Sequence, residues 1–265
     1  MSEPSRGGAA LGGARPCRFA LLAALPLEVR PFLRQVKARR FKGANLPAWE
    51  FGQGEGREVL ALTGMGEEAA TAAAKRVAAL WQPQVLISLG FSGSLQPGLA
   101  PGHLVLGESF HHYDPQSGGL EEIKAPAPPR PLAALAEHLI AAGLPAAIGS
   151  CVTTPGILHK GRQGGPLRHL PQPVLDLETS ALAAAAQEAG IPFLALRVIT
   201  DTGGEEIPDF LREGWEPGYG PGLSKVLAWL AGDPRRLKAM LHLWRRSRLA
   251  AARLAAGLGV ILPLL

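Results

Sequence analysis

The sequence predicts an α/β fold built on a mostly parallel or mixed central sheet, and three observations predict it. Short apolar runs alternate with alanine-rich, helix-forming runs along most of the 265 residues. The chain is 47% apolar yet only 6% aromatic, dominated by Ala, Leu and Gly, which suits an α/β globule with a sizeable core better than an all-β one. Two apolar runs, one from Val174 to Leu177 and one from Leu196 to Thr200, lead into Glu178 and Asp201, with a helix-forming run between them. In an open α/β sheet the carboxyl ends of the strands form the ligand crevice. Glu178 and Asp201 are therefore expected side by side at the mouth of one pocket, where an acid pair points to acid/base chemistry on a small molecule.

The elements follow in order. Phe19 to Leu25 fits a first buried strand, and Pro26 opens a helix to about Arg40, since proline suits a first helical turn. Trp49–Phe51 and Glu58–Thr63 read as a hairpin around the glycines at 52, 54 and 56. A helix from Glu67 to Leu80 starts just after Gly64-Met65-Gly66, and Gln84–Leu89 is a strand ending in Gly90-Phe91-Ser92-Gly93-Ser94. His103–Leu106 is a further strand, followed by a polar loop from Ser109 to Ile123 that carries His111, His112, Tyr113 and Asp114. A proline cluster, Pro126 to Pro131, precedes a helix to about Ala142, and Ala146–Val152 is a strand leading into Thr153-Thr154-Pro155-Gly156. The two acid-ended strands then flank a helix from Glu178 to Ala189.

The ends differ from this body. Residues 1–16, rich in Gly, Ala, Ser and Pro, have neither an apolar h-region nor a periodic pattern and read as a disordered lead rather than a signal peptide. The body spans 17–232, with a linker-like stretch at Gly214–Gly222. The segment 233–265 reads as a basic amphipathic helix with Leu237, Met240, Leu241, Trp244, Ala251, Ala255 and Leu258 on one stripe. Its Arg235, Arg236, Lys238, Arg245, Arg246, Arg248 and Arg253 account for the net charge of +5, leaving the body about neutral. Such a helix either docks on its own core or lies on an anionic membrane surface. No 18-residue apolar span precedes the C-terminus. Two distant cysteines without metal-type spacing indicate a reducing, cytoplasmic setting with no disulfide frame. No groove-reading motif supports nucleic-acid binding.

Four segments in order, Ala24-Leu25-Pro26-Leu27-Glu28-Val29, Thr63-Gly64-Met65-Gly66, Gly90-Phe91-Ser92-Gly93-Ser94-Leu95, and Asp176/Glu178 followed by Arg197–Asp201, resemble the nucleoside phosphorylase/nucleosidase superfamily. Within it they are most similar to the methylthioadenosine/S-adenosylhomocysteine nucleosidase branch. The resemblance covers about Phe19 to Phe210. It implies a three-layer α/β/α sandwich around a mixed, partly barrel-like sheet, a homodimer, and a purine nucleoside as small-molecule partner, without metal or organic cofactor.

The resemblance also implies roles. Asp201 stands where the family's aspartate supplies or relays a proton to purine N7, a task that burial near other carboxylates would permit at neutral pH. Thr200 matches a serine that orients that aspartate. Glu178 matches the glutamate that holds the ribose hydroxyls and sets negative charge below a cationic sugar. Glu28 matches the general base that polarises water, and Arg197 would orient and balance the acids. Ser92 and Gly93 would line the base and ribose site, Leu177 would pack beneath the sugar, and Ile157 and Leu158 would sandwich the purine. The bland reading of each acid is a helix cap or a solvated first-turn residue.

Three readings stay open on sequence alone. The first is an N-ribosyl hydrolase releasing adenine from a 5′-modified adenosine, with adenosylhopane-type and futalosine-type nucleosides as variants. The second is a phosphorylase using phosphate: Phe91 and Glu28 speak against a phosphate pocket, whereas Arg30 near Glu28 speaks for one. The third is a membrane-recruited nucleoside-binding module, with peripheral contact at the inner face of the membrane through the C-terminal helix.

Overall fold

The structure of the protein is a computed structural model and describes residues 16–52, 57–205 and 234–265, with the backbone alone described for 234–242. The expected disordered lead (all but Pro16), the tip of the first hairpin and the expected linker at Gly214–Gly222 lie outside the described residues.

Among the described residues, ten strands form one mixed sheet. They are β1 (Phe19–Ala23), β2 (Arg39–Phe41), β3 (Ala48–Phe51), β4 (Glu58–Leu62), β5 (Val85–Ser94), β6 (Leu104–Asp114), β7 (Gly119–Ile123), β8 (Ala146–Thr153), β9 (Val174–Asp176) and β10 (Phe193–Asp201). The order runs β10-β6-β8-β9-β5-β1-β4-β3-β2, and β10 also pairs with β5. That extra pairing closes β5, β10, β6, β8 and β9 on themselves, while β1, β4, β3 and β2 extend from the ring as an open sheet. The sandwich with a partly barrel-like sheet is therefore present.

Helices are α1 (Pro26–Gln35), α2 (Glu67–Trp81), α3 (Leu132–Ala141), the short α4 (Lys160–Gln163), α5 (Thr179–Ala189) and α6 (Pro234–Ile261). Strand alternation divides the core into two layers. On β1, Phe19, Leu21 and Ala23 face α1, α3 and α6, whereas Ala20 and Leu22 face α2 and α5. On β10, Leu194, Leu196 and Val198 face the first group and Phe193 and Ala195 the second. Small residues on α2 and α5, such as Ala70, Ala74, Ala183 and Ala186, let those helices lie close to the sheet.

Several expectations are corrected. The first helix ends at Gln35, not near Arg40, because Lys37 takes a left-handed φ of 50° and Arg39 then pairs with Glu50. The strand expected to stop at Leu89 runs on through the glycine-containing segment to Ser94, since β10 pairs with it from Phe193 to Asp201. The expected polar loop after Ser109 is a hairpin instead: β6 continues to Asp114 and pairs with β7. Within it His111 is buried, bonded through Nε2 to Ser109 Oγ at 3.1 Å, and His112 Nδ1 meets Glu67 Oε2 at 3.1 Å. Polarity misled here because the ladder and short polar partners satisfy these side chains.

The C-terminal helix docks on the fold. Ala250, Ala251, Leu254, Ala255, Leu258 and Ile261 are buried in the layer with α1 and α3, and Gly257 backs onto Leu104 and Leu139. Trp244, placed on the apolar stripe by its spacing, is instead half exposed, with the Arg248 guanidinium 4.7 Å from its ring. The buried stripe thus runs through positions 250, 254, 258 and 261 rather than through Trp244. Leu237, Met240 and Leu241 fall where no side chain is described. Leu243–Leu264 is long and apolar enough to cross a membrane by length and composition, with a mean hydropathy of 1.4, but 44% of it is buried in the protein.

Candidate active site

The carboxyl ends of β1, β4, β5 and β10, together with the start of α5, converge on one cavity of about 180 Å³. Its walls carry Glu28, Ser92, Gly93, Ile157, Leu158, Leu177, Glu178, Thr200 and Asp201, nine of the ten residues singled out in the sequence. The tenth, Arg197, is buried in the layer behind the wall. A larger cleft of about 1070 Å³ lies beside the last turns of α1 and α6, and its acids Glu50 and Glu58 are each paired with an arginine, Arg57 and Arg18.

Glu28 is no solvated helix acid. It is the third residue of α1, and its Oε2 reaches back to accept the Leu25 N–H at 2.8 Å, satisfying one donor that the helix start leaves open. Its Oε1 accepts the Phe91 N–H at 3.0 Å, so the carboxyl bridges the ends of β1 and β5. Burial raises its pKa, against the lowering effect of those two N–H donors and of Arg197.

Asp176 and Glu178 divide the labour at the end of β9. Asp176 Oδ1 accepts from Thr153 Oγ1 at 2.7 Å and from the N–H groups of Glu178 and Thr179 at 3.0 and 2.9 Å, which caps α5. Its Oδ2 bonds Thr179 Oγ1 and pairs with Arg197 Nε at 3.3 Å. Glu178 opens α5 but does not cap it; Oε1 accepts the Gly66 N–H at 2.9 Å across the cavity. Gly66 has φ 89°, the left-handed region that favours glycine, and so presents that N–H. Burial first, then the nearby Asp176 charge, pushes Glu178 up to about 8. That shift favours the protonated acid at neutral pH.

Asp201 ends β10. Thr200 Oγ1 donates to its Oδ1 at 2.7 Å and also reaches Ser92 O at 3.3 Å, so the threonine orients the acid. The other oxygen, Oδ2, is held by Lys160 Nζ, which also donates to Thr202 O at 2.8 Å. This corrects the expectation that Asp201 sits among other carboxylates, since its close charged partner is a lysine. Lys160 is itself buried and lines the cavity. Sequence reading missed it because one lysine in an irregular Gly-Pro-rich stretch carries no pattern. The turn after Asp201 is tied down as well: Glu205 accepts the Thr202 N–H at 3.0 Å and a two-pronged Arg246 contact at 2.6 and 2.8 Å from α6.

Arg197 lies between sheet and α5, bonded to Ser88 and Thr179 hydroxyls and paired with Asp176. Its field lowers the pKa of both Glu28 and Glu178, the balancing part foreseen for it. Arg30, by contrast, is exposed and absent from the cavity wall, so the argument for phosphate that rested on its nearness to Glu28 is overturned. Met65, Phe91, Thr154 and Leu175 complete an apolar lining, and the Ser92 hydroxyl is buried there without a protein partner among the described residues. Burial pushes the Cys17 and Cys151 thiols to about 12, so neither is a nucleophile at neutral pH. Among the described residues no group of three or more His, Cys, Asp and Glu is arranged to hold a metal ion.

Such an arrangement offers three carboxyls in different hydrogen-bonded settings, apolar walls and convergent backbone donors to one small molecule. Comparison with known proteins accords with it. The profile of the family described as "Phosphorylase superfamily" matches residues 17–215. A 5′-methylthioadenosine/S-adenosylhomocysteine nucleosidase from Marinomonas sp. (strain MWYL1) is 25% identical over 209 residues, covering 73% of this chain and 89% of that protein. Among solved structures, futalosine hydrolase of Helicobacter pylori superposes with a TM-score of 0.69 at 16% identity, over 94% of this chain and 100% of the other. The Campylobacter jejuni 5′-methylthioadenosine/S-adenosyl homocysteine nucleosidase gives 0.65 at 17% identity, over 91% and 98%.

Proposed function

Because this chain belongs to the phosphorylase superfamily, we propose that its cavity is the active site of an N-ribosyl hydrolase that releases the base from a purine nucleoside, with a 5′-modified adenosine as substrate. The observation that carries the reading is the meeting of Glu28, Glu178 and Asp201 around one cavity, although 173 residues separate the first from the last.

Each side chain has a task that its surroundings support. As the C1′–N9 bond breaks, its electrons move onto the purine, and a proton delivered through Asp201 to N7 lets the base leave neutral. The sugar left behind is a cation. Glu178 holds its hydroxyls and keeps its proton, and its oxygen lone pairs below the sugar stabilise the growing positive charge, more in the transition state than in the ground state. Glu28, fixed by two backbone N–H groups, polarises the water that attacks C1′ and takes its proton, and the upward shift of its pKa makes it a stronger base. Ile157, Leu158 and Phe91 supply apolar area for the purine ring, and Leu177 for the sugar.

Incubation with 5′-methylthioadenosine, S-adenosylhomocysteine, futalosine and a long-chain 5′-alkyl adenosine, with and without phosphate, tests the reading. Release of free base with the unphosphorylated 5-substituted ribose in phosphate-free buffer is expected; the 5-substituted ribose 1-phosphate as the sole sugar product would make the protein a phosphorylase.

Supporting observations for the wider setting are fewer. The two free, buried cysteines favour a cytoplasmic location, and the homodimer rests on the resemblance alone. Exposed Trp244 beside Arg245 and Arg248 on α6 supports peripheral contact with an anionic membrane. Flotation with liposomes of the wild type against a chain with those three residues changed to serine tests it, and equal soluble fractions would remove it.

A further inference from the structure

Lys160 raises a problem that the hydrolase reading does not solve. An aspartate that donates a proton needs to hold one, and an ammonium pressed against its oxygen favours the carboxylate instead. Yet Lys160 is only 3% exposed, with Nζ on Asp201 Oδ2, 2.8 Å from Thr202 O and 3.4 Å from Asp201 O. Burying that charge costs several kcal/mol unless carboxylate and carbonyls offset it. The backbone is cut to fit the pair: a Cβ at Gly93 would stand 2.6 Å from Asp201 Oδ2, 3.0 Å from Lys160 Nζ and 3.1 Å from Lys160 Cε. Gly93 on β5, Asp201 on β10 and Lys160 on α4 therefore make one built unit at the cavity wall.

We propose that Lys160 is a positioning residue that stores the proton destined for the leaving base, Asp201 being the conduit between them. The proposal rests on the hydrolase reading and deepens it. As C1′–N9 breaks and its electron pair moves onto the purine, Lys160 Nζ gives a proton to the Asp201 carboxylate at Oδ2, and Asp201 passes a proton on to N7. Lys160 ends as a neutral amine and Asp201 again as a carboxylate. The proton released by the attacking water goes to Glu28, and after products leave, Glu28 returns its proton to solvent while the amine recovers one. Charge is conserved, and no co-reactant beyond water is needed. Other groups face this pair: Arg246 from α6, whose charge interacts with Asp201, Glu205 in the turn beyond it, and Glu28, Asp176 and Glu178 in the cavity wall; His159 precedes Lys160 in the chain.

Two substitutions separate a proton store from a mere support. Lys160→Arg keeps the positive charge but locks the proton, because guanidinium does not deprotonate in proteins. Lys160→Met keeps much of the volume and removes the charge, leaving Asp201 to pick up its own proton in acid. Base release is measured from pH 5 to 9, together with 13C NMR of the Asp201 carboxyl, identified by its loss in Asp201→Asn. Expected are a fall of about 100-fold for Lys160→Arg at every pH, and for Lys160→Met a turnover that is highest at pH 5.5 and declines steeply toward pH 8.5. The Asp201 signal is expected to move across this range in Lys160→Met and to stay put in the wild type. Rescue by arginine with a uniform, pH-independent loss in Lys160→Met would overturn the proposal, reducing Lys160 to a structural cation. An Asp201 signal unchanged by Lys160→Met would overturn it too, whether or not base is released. A wild type that releases no base from any nucleoside defeats the hydrolase reading separately, and the carboxyl signal still decides the pairing.

Discussion

Asp176 and Glu178 stand two residues apart on one strand end, yet Asp176 spends its carboxylate on Arg197, 3.3 Å away, and on the first turn of α5, while Glu178 reaches across the cavity to Gly66. In a continued strand they would share a face. The chain turns into α5 at Glu178, and that turn frees one acid for substrate while the other caps the helix.

Asp176→Ala should therefore damage folding more than chemistry. It removes a helix cap and leaves Arg197 buried without its carboxylate, for a combined cost of about 3–5 kcal/mol. Urea unfolding followed by circular dichroism checks this; a loss below about 1 kcal/mol would contradict the arrangement.

Glu178→Gln should change how stability depends on pH. The pKa of Glu178 rises from the ordinary 4.5 to about 8 in the folded chain. Between those values the native state binds more protons than the unfolded one, so stability is full below about 4.5 and drains away as pH rises through 8. The amide variant carries no such proton and should be less pH-sensitive, gaining on the wild type on the order of a few kcal/mol by pH 8. Some slope persists, because burial also raises Glu28. Thermal unfolding at pH 5 and pH 8.5 gives the comparison, and parallel losses in both proteins would refute it.

Glu28→Gln and Asp201→Asn should each lower kcat by about 100-fold or more, the usual worth of a positioned acid or base. Both should also lower Tm, because Asp201→Asn leaves the buried Lys160 ammonium without its carboxylate and Glu28→Gln sets an amide NH2 against one of two backbone N–H donors. Base release is therefore compared on folded protein. Single-turnover base release measures the step directly, and near-native rates would reassign the residue concerned.

Gly93→Ala and Gly90→Ala should fail in different ways. A Cβ at Gly93 meets the Asp201–Lys160 pair at the cavity wall, whereas at Gly90 it meets the Arg197 guanidinium and comes within 3.1 Å of Glu28 Oε1. The first variant should stay folded with turnover down about 10-fold or more, since small misplacements of catalytic groups are costly. The second drives an atom into a fully buried arginine and should lose stability first. Tm and kcat measured on both separate the two effects.

Much of this is readable in the chain because short continuous apolar runs and helical alanine runs report directly on burial. The strands around Leu21, Ile87 and Leu196 and the meeting of Glu178 and Asp201 follow from pattern and from strand ends, whereas the place of Glu28 comes from the family resemblance. Long-range partners leave no such trace. Asp176 entered the sequence reading only as part of the family motif, because its role is set by Thr153 and Arg197, 23 and 21 residues away. Lys160 acquires meaning only when α4 folds against β10. The β6–β7 hairpin was masked because His111, His112 and Asp114 lower its hydropathy, and strand pairing rather than burial holds its outer half.

Gly257, seated on Leu104 and Leu139, carries a practical warning about the end of the chain. The last helix is a wall of the building and not a handle attached to it. Cutting the protein after Asp233 would bare a greasy strip along Val29, Leu104 and Leu196, and the shortened product would stick to lipid, plastic and itself for reasons unrelated to any biological address.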